Sequence, residues 1–185
     1  MSYVDRSETK AYSVGTMASL GGGYALSRFI GAVAWVPAIV GGASFVLLKK
    51  VTKRNTAVIA TLAALIAQAS WFLLGAIVVP AQAPDVILDI GIDAVLIAAI
   101  FFRPGYVSAG LAILVNLAGI VIVGFNFADS ASDPNVLLSV QQRAVIAHII
   151  LRAIIVGAAA MIIVYRANPD LLPDETEGEE ALAEY

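Results

Sequence analysis

Long apolar runs alternate along this chain with short stretches that contain charged residues, proline or glycine. Each run has about the 20 residues that cross a hydrocarbon core of ~30 Å as a helix. We therefore predict an all-α polytopic transmembrane helix bundle of about five spans, with an N-terminal Gly-rich helical or re-entrant segment before the first span. The predicted spans are approximately 29–48, 56–79, 85–102, 106–127 and 143–166.

The chain divides into three predicted regions around this bundle. Residues 1–28 form an N-terminal segment that is partly interfacial or extends the first span, and residues 29–166 form the transmembrane bundle. Residues 167–185 are acidic and poor in residues that build a core, so we expect a disordered tail. This tail is either a docking element for a basic partner or a solvated chain end.

Composition supports the membrane assignment. Hydrophobic residues make up 60% of the 185 residues, whereas a soluble domain has about 45–50%. Charged residues make up 14%, where about 25% is usual. Most of these charges lie in 1–10, 49–54 and 167–185, so the apolar runs are nearly free of charge.

Residue counts also exclude several kinds of site. Without cysteine the chain has no disulfide, thiolate zinc site or cysteine nucleophile, and its single histidine, His148, cannot build a bis-histidine haem site alone. The sequence has neither a phosphate-binding loop nor a nucleophile-elbow motif. We expect no enzymatic activity, no cofactor and no metal. The net charge of −3 argues against nucleic acid as a partner.

The positions of Lys and Arg predict the orientation in the cell membrane. Positive residues in short loops stay cytoplasmic, and one side collects Lys49, Lys50, Lys53, Arg54, Arg103 and Arg166. With five spans this puts the C-terminus in the cytoplasm and the N-terminus outside, whereas a full crossing by residues 11–27 would reverse the N-terminus. We expect no cleavable signal peptide, because the first apolar stretch is too long and leads into Lys49.

Acidic residues mark one face of the third predicted span. Asp85, Asp89 and Asp93 recur every four residues, so they line one helix face. Asp93 lies on the order of 12 Å inside the outer end, where an isolated carboxylate is costly. On the fifth span, Gln141, His148 and Arg152 return to a common face, and Arg152 arrives at a similar depth. We predict an Asp93–Arg152 pair.

Two interpretations of these residues remain open. Asp89, Asp93, His148 and Arg152 could line an ion or proton pathway, or a polar substrate site that opens outward, with His148 as the pH-sensitive member. Alternatively, they form a structural ion pair that fixes the third and fifth spans, with the other polar groups completing hydrogen bonds.

Two amides lie near the middle of other spans. Gln68 shares a face with Trp71 and Gly75, and Asn116 shares one with Gly119. Such amides commonly bond across helices. They either hold helices together or belong to the same pathway.

Small residues recur at four-residue steps in the N-terminal region: Gly15, Ser19, Gly23, Ser27 and Gly31. If this region is helical, the stripe allows another helix to approach closely. The partner is either a second chain or subunit, or this chain's own fourth or fifth span. The glycines could also simply interrupt the helix.

Two functions follow from this pattern. The first is a small integral membrane transporter or channel subunit with an outward-facing buried polar and charged cluster. The second is a non-catalytic accessory or assembly subunit of a larger membrane complex. Either protein would lie in the lipid bilayer as a homo-oligomer or with other membrane subunits.

Overall fold

A computed structural model describes residues 35–52, 54–78, 83–130 and 140–168, together with short stretches within 12–28. Side chains at 83–85, 126–130 and 140–144 are outside this description. The five long elements in the described part are all α-helices, as predicted. They are α1 (Trp35–Val51), α2 (Thr56–Val78), α3 (Ala83–Phe102), α4 (Tyr106–Ser130) and α5 (Val140–Ala167).

Local sequence explains where these helices begin and end. Asn55 precedes α2, and its side-chain oxygen accepts a hydrogen bond of 2.7 Å from the backbone N–H of Ala57, as an N-cap residue does. The Arg103-Pro104-Gly105 link ends α3, because a residue before proline is disfavoured in helical conformation. The hydroxyl of Ser108 then accepts from the N–H of Gly105 at 3.0 Å, which supports the start of α4.

Among the described residues, three helices are long and apolar enough to cross a membrane: Thr56–Val78, Tyr106–Phe125 and Val145–Ala167. These correspond to the second, fourth and fifth predicted spans, although the last of them extends one residue past its predicted end. Of the other two, α1 has 17 residues, and α3 has 20 residues that include three aspartates. Of the Gly-rich N-terminal region, residues 20–25 are helical.

The helix α2 is central to the bundle. It packs against α1, α3 and α5, while α4 packs along α5 and more lightly on α3. Many large apolar side chains on the other faces of these helices are exposed, including Ile77, Val95 and Phe125. Such faces are typical of helices that contact lipid.

Two apolar clusters fill the interior. The Trp71 cluster consists of Trp71, Phe72, Ala147 and Leu151, with Val86 and Ile90 packed against it. The Leu62 cluster occupies the other end of the bundle and takes residues from α2, α3, α4 and α5, among them Leu62, Leu65, Ile100, Ala112 and Ile155.

Candidate functional site

A layer of polar side chains lies between the two apolar clusters. Each of four helices contributes one residue, and all four are almost fully buried: Gln68 at 1% exposure, Asp93 at 2%, Asn116 at 0% and Arg152 at 5%. We call these four residues the polar layer. On α2, for example, Gln68 lies between Leu65 of one cluster and Trp71 of the other.

Asp93 bonds to the central helix. Its Oδ1 accepts a hydrogen bond of 3.2 Å from Nε2 of Gln68. This bond joins α3 to α2, as expected of a buried amide beside a carboxylate. The other carboxylate oxygen, Oδ2, is buried without a hydrogen-bond partner.

The ion pair of Arg152 differs from the predicted one. Its NH2 lies 3.4 Å from Oδ1 of Asp89, one helical turn before Asp93, and no Asp93–Arg152 ion pair is present. The reason is the length of the arginine side chain, because its guanidinium does not lie at the same depth in the bundle as its own Cα. The side chain of Asp89 is 41% exposed, so the pair connects the buried layer to the bundle surface.

Arg152 is further positioned by an aromatic ring and by a glycine. Its guanidinium lies over the ring of Phe72, 5.6 Å from the centroid. On α4 the guanidinium lies against Gly119, where a β-carbon would overlap its atoms. Glycine is therefore required at position 119 for the arginine to take this course.

The polar layer is incompletely hydrogen-bonded. Nδ2 of Asn116 donates to the carbonyl of Ala112 at 2.9 Å, which leaves its Oδ1 free. Four buried atoms of the described residues have no partner, and each comes from a different helix: Gln68 Oε1, Asp93 Oδ2, Asn116 Oδ1 and Arg152 Nε. Buried polar atoms are normally satisfied, by water where protein groups do not reach.

His148 contacts two members of the Trp71 cluster, beside this layer. Its Nε2 accepts a hydrogen bond of 2.8 Å from the indole N–H of Trp71. Its ring also stacks at a tilt on Phe72, with centroids 5.0 Å apart. Because an indole N–H can only donate, this bond requires an unprotonated Nε2 and places the ring proton on Nδ1.

The structure thus brings Gln68 and Asp93, and Asp89 and Arg152, into contact, with His148 beside them through Phe72. Asn116 is buried on α4, three residues before the Gly119 that Arg152 contacts. The side chains of Asp85 and Gln141 lie outside the described residues. The sequence did not indicate a role for Phe72, and it did not indicate that Arg152 packs against Gly119. The available signal was the spacing of Gly119 three residues after Asn116, which puts both on one face.

Two members of the predicted packing stripe are described. Gly23 is buried against α1, where a β-carbon would lie 2.7 Å from that of Ala38 and 3.0 Å from the ring of Trp35. Its close neighbour is therefore this chain's own first long helix rather than α4 or α5. The hydroxyl of Ser27 donates to the carbonyl of Tyr24. Gly15, Ser19 and Gly31 lie outside the described residues.

Comparison of the chain with protein family models, with curated proteins and with solved structures finds no match.

Proposed function

We propose that this chain is a small membrane transporter or channel subunit that moves a proton or another small cation through the polar layer. The observation that carries the proposal is the set of four buried, unpartnered polar atoms contributed by four different helices. Three of these atoms are oxygens, which suit a proton, a water molecule or a hard cation.

The surroundings of the layer support this role. Apolar clusters lie on both sides of it, so the site is closed to either end, as an occluded binding site near a membrane midplane would be. Asp89 is half-exposed and lies one turn from Asp93, which gives the route of entry. Intramembrane ionisable residues commonly mark such pathways.

The proposal includes five spans. It adds α1 and α3 to the three apolar helices, because α3 carries both Asp89 and Asp93 into the bundle. It also includes the multi-pass location in the cell membrane, with the C-terminus in the cytoplasm, and a homo-oligomeric assembly.

A flux assay with the purified full chain in liposomes tests the proposal. A potassium gradient with valinomycin supplies the driving force, and an internal dye reports the pH. We expect proton uptake well above that of protein-free liposomes, reduced by about tenfold or more in Asp93→Asn. Asp85→Asn is the control, because it removes the same charge from the same helix two turns earlier.

Tracer sodium and potassium are measured in parallel in liposomes without valinomycin, which itself carries potassium, so that selectivity for another cation is detected. The proposal is contradicted if each tested ion enters liposomes with the wild-type protein no faster than it enters protein-free liposomes. Full activity of Asp93→Asn also contradicts it.

The second candidate is an accessory or assembly subunit of a larger membrane complex. The observation that favours it is the fixed position of Arg152 between Asp89 and Gly119, which is also what a structural ion pair requires. Such a subunit would co-purify in fixed ratio with unrelated chains.

A further inference from the structure

A second polar region lies at the opposite end of the bundle from the Trp71 cluster. Here α2 begins and α5 ends, and together with Pro104 of the link between α3 and α4 they surround an open cavity of about 240 Å³. Its lining includes Arg54, Asn55, Val58, Ile162, Tyr165 and Arg166. The proposed ion pathway uses none of these residues.

The cavity is positively charged. The guanidinium of Arg54 lies over the ring of Phe101, 5.0 Å from its centroid, and Arg166 donates to the carbonyl of Pro104 at 2.7 Å. Within the described part of the chain neither arginine has a carboxylate at ion-pair distance. Both therefore keep N–H donors and an uncompensated charge for an anion, and arginine suits the oxygens of a phosphate.

The other wall of the cavity is apolar. Val58 and Ile162 are buried members of the helices Thr56–Val78 and Val145–Ala167, which are long enough to cross a membrane. The cavity thus lies at the end of two candidate spans, where a bilayer has its headgroups. Tyr165 is of the aromatic type enriched at that level.

We propose that this cavity binds the phosphate of an anionic phospholipid from the adjoining leaflet. The two arginines hold the phosphate, Val58 and Ile162 form the apolar inner wall of the cavity, and the acyl chains stay in the adjoining leaflet. The volume suits a headgroup, since sites for complete drug-sized ligands are larger, about 300–1,000 Å³. Basic pockets between spans on the cytoplasmic side bind anionic headgroups in this way. The proposal does not depend on transport.

Native mass spectrometry of the full chain, released from nanodiscs that contain phosphatidylglycerol and phosphatidylcholine in equal amounts, measures the lipid that stays bound. We expect phosphatidylglycerol adducts to dominate in the wild type. The double variant Arg54→Gln/Arg166→Gln should lose them by about tenfold or more. Arg103→Gln is the matched control, because it removes an exposed arginine of the same loop region that does not line the cavity.

A charge-preserving variant, Arg54→Lys/Arg166→Lys, separates lost binding from lost folding and should retain most adducts. The proposal is overturned if phosphatidylcholine binds equally well, or if Arg103→Gln loses as much lipid as the double variant. It is also overturned if inorganic phosphate displaces the adducts completely, which would indicate a site for free phosphate. Finally, it is overturned if adducts form only after Asp174, Glu175, Glu177, Glu179 and Glu180 are changed to their amides, because the acidic tail would then be the occupant.

Discussion

The guanidinium of Arg152 lies against Gly119, in the space that a β-carbon at position 119 would fill. From there it reaches Asp89 on a third helix. One glycine on α4 thus allows an arginine on α5 to pair with a carboxylate on α3. Because a long charged side chain in a bundle interior needs both space and a partner, these three positions act as a unit.

Gly119→Ala should therefore destabilise the protein. The added methyl group overlaps the guanidinium, so Arg152 must move away and give up its contact with Asp89, at a cost of about 1 kcal/mol. Gly110→Ala and Gly124→Ala are the controls on the same helix, because nothing lies within 4 Å of a β-carbon at either position. Thermal unfolding in detergent measures the difference. A melting temperature of Gly119→Ala equal to those of the controls would contradict the position of Arg152.

Arg152 should couple more strongly to Asp89 than to Asp93. Asp89→Asn removes the carboxylate that Arg152 contacts, and half-exposure of Asp89 limits the loss to about 1 kcal/mol. Adding Arg152→Gln should recover part of that loss. Double-mutant cycles for both pairs, measured by unfolding in detergent, give the two coupling energies. A larger coupling for the Asp93 pair would restore the pairing expected from helix depth alone.

Trp71→Phe should lower stability by about 1 kcal/mol or more, because Nε2 of His148 loses its donor while it stays largely buried. Trp35→Phe is the control at the other tryptophan. Nitrogen NMR of His148 should show the neutral form with its proton on Nδ1 in the wild type. A proton on Nε2 would exclude the Trp71 hydrogen bond.

Gentle extraction followed by native mass measurement shows which other subunits co-purify with the chain. The transport proposal predicts the chain alone or as a discrete homo-oligomer. A fixed ratio with unrelated subunits would favour the accessory role instead.

Hydrophobic patterning predicts much of the fold. The helix α2 begins at Thr56, as predicted, and is described to Val78, because the uninterrupted apolar run to Val79 is a strong local signal. Four-residue spacing also predicts which polar residues share a face, and six of those candidates lie in one region of the bundle. Helix geometry fixes such faces before any tertiary contact forms.

The pairing of those side chains could not be predicted in the same way. Depth counting matched Arg152 with Asp93, but it measures the position of the Cα and ignores the reach of the side chain. The space at Gly119 and the Gln68–Asp93 hydrogen bond decide the outcome, and both depend on how helices pack. The contact of Gly23 with α1 was not among the predicted alternatives for the same reason, since a stripe of small residues does not specify its neighbour.

Cysteine accessibility tests most directly whether the polar layer is reached by water, as the transport proposal requires. The chain has no cysteine, so single-cysteine variants need no further changes. Asn116→Cys places a thiol in the polar layer, and Ala112→Cys places one a turn away on the same helix, in the Leu62 cluster; both positions are 0% exposed. We expect a small charged methanethiosulfonate to modify Asn116→Cys in liposomes about tenfold or more faster than Ala112→Cys, because thiolate forms only where water enters. Equal protection of both thiols would contradict this expectation and leave a dry, structural ion pair.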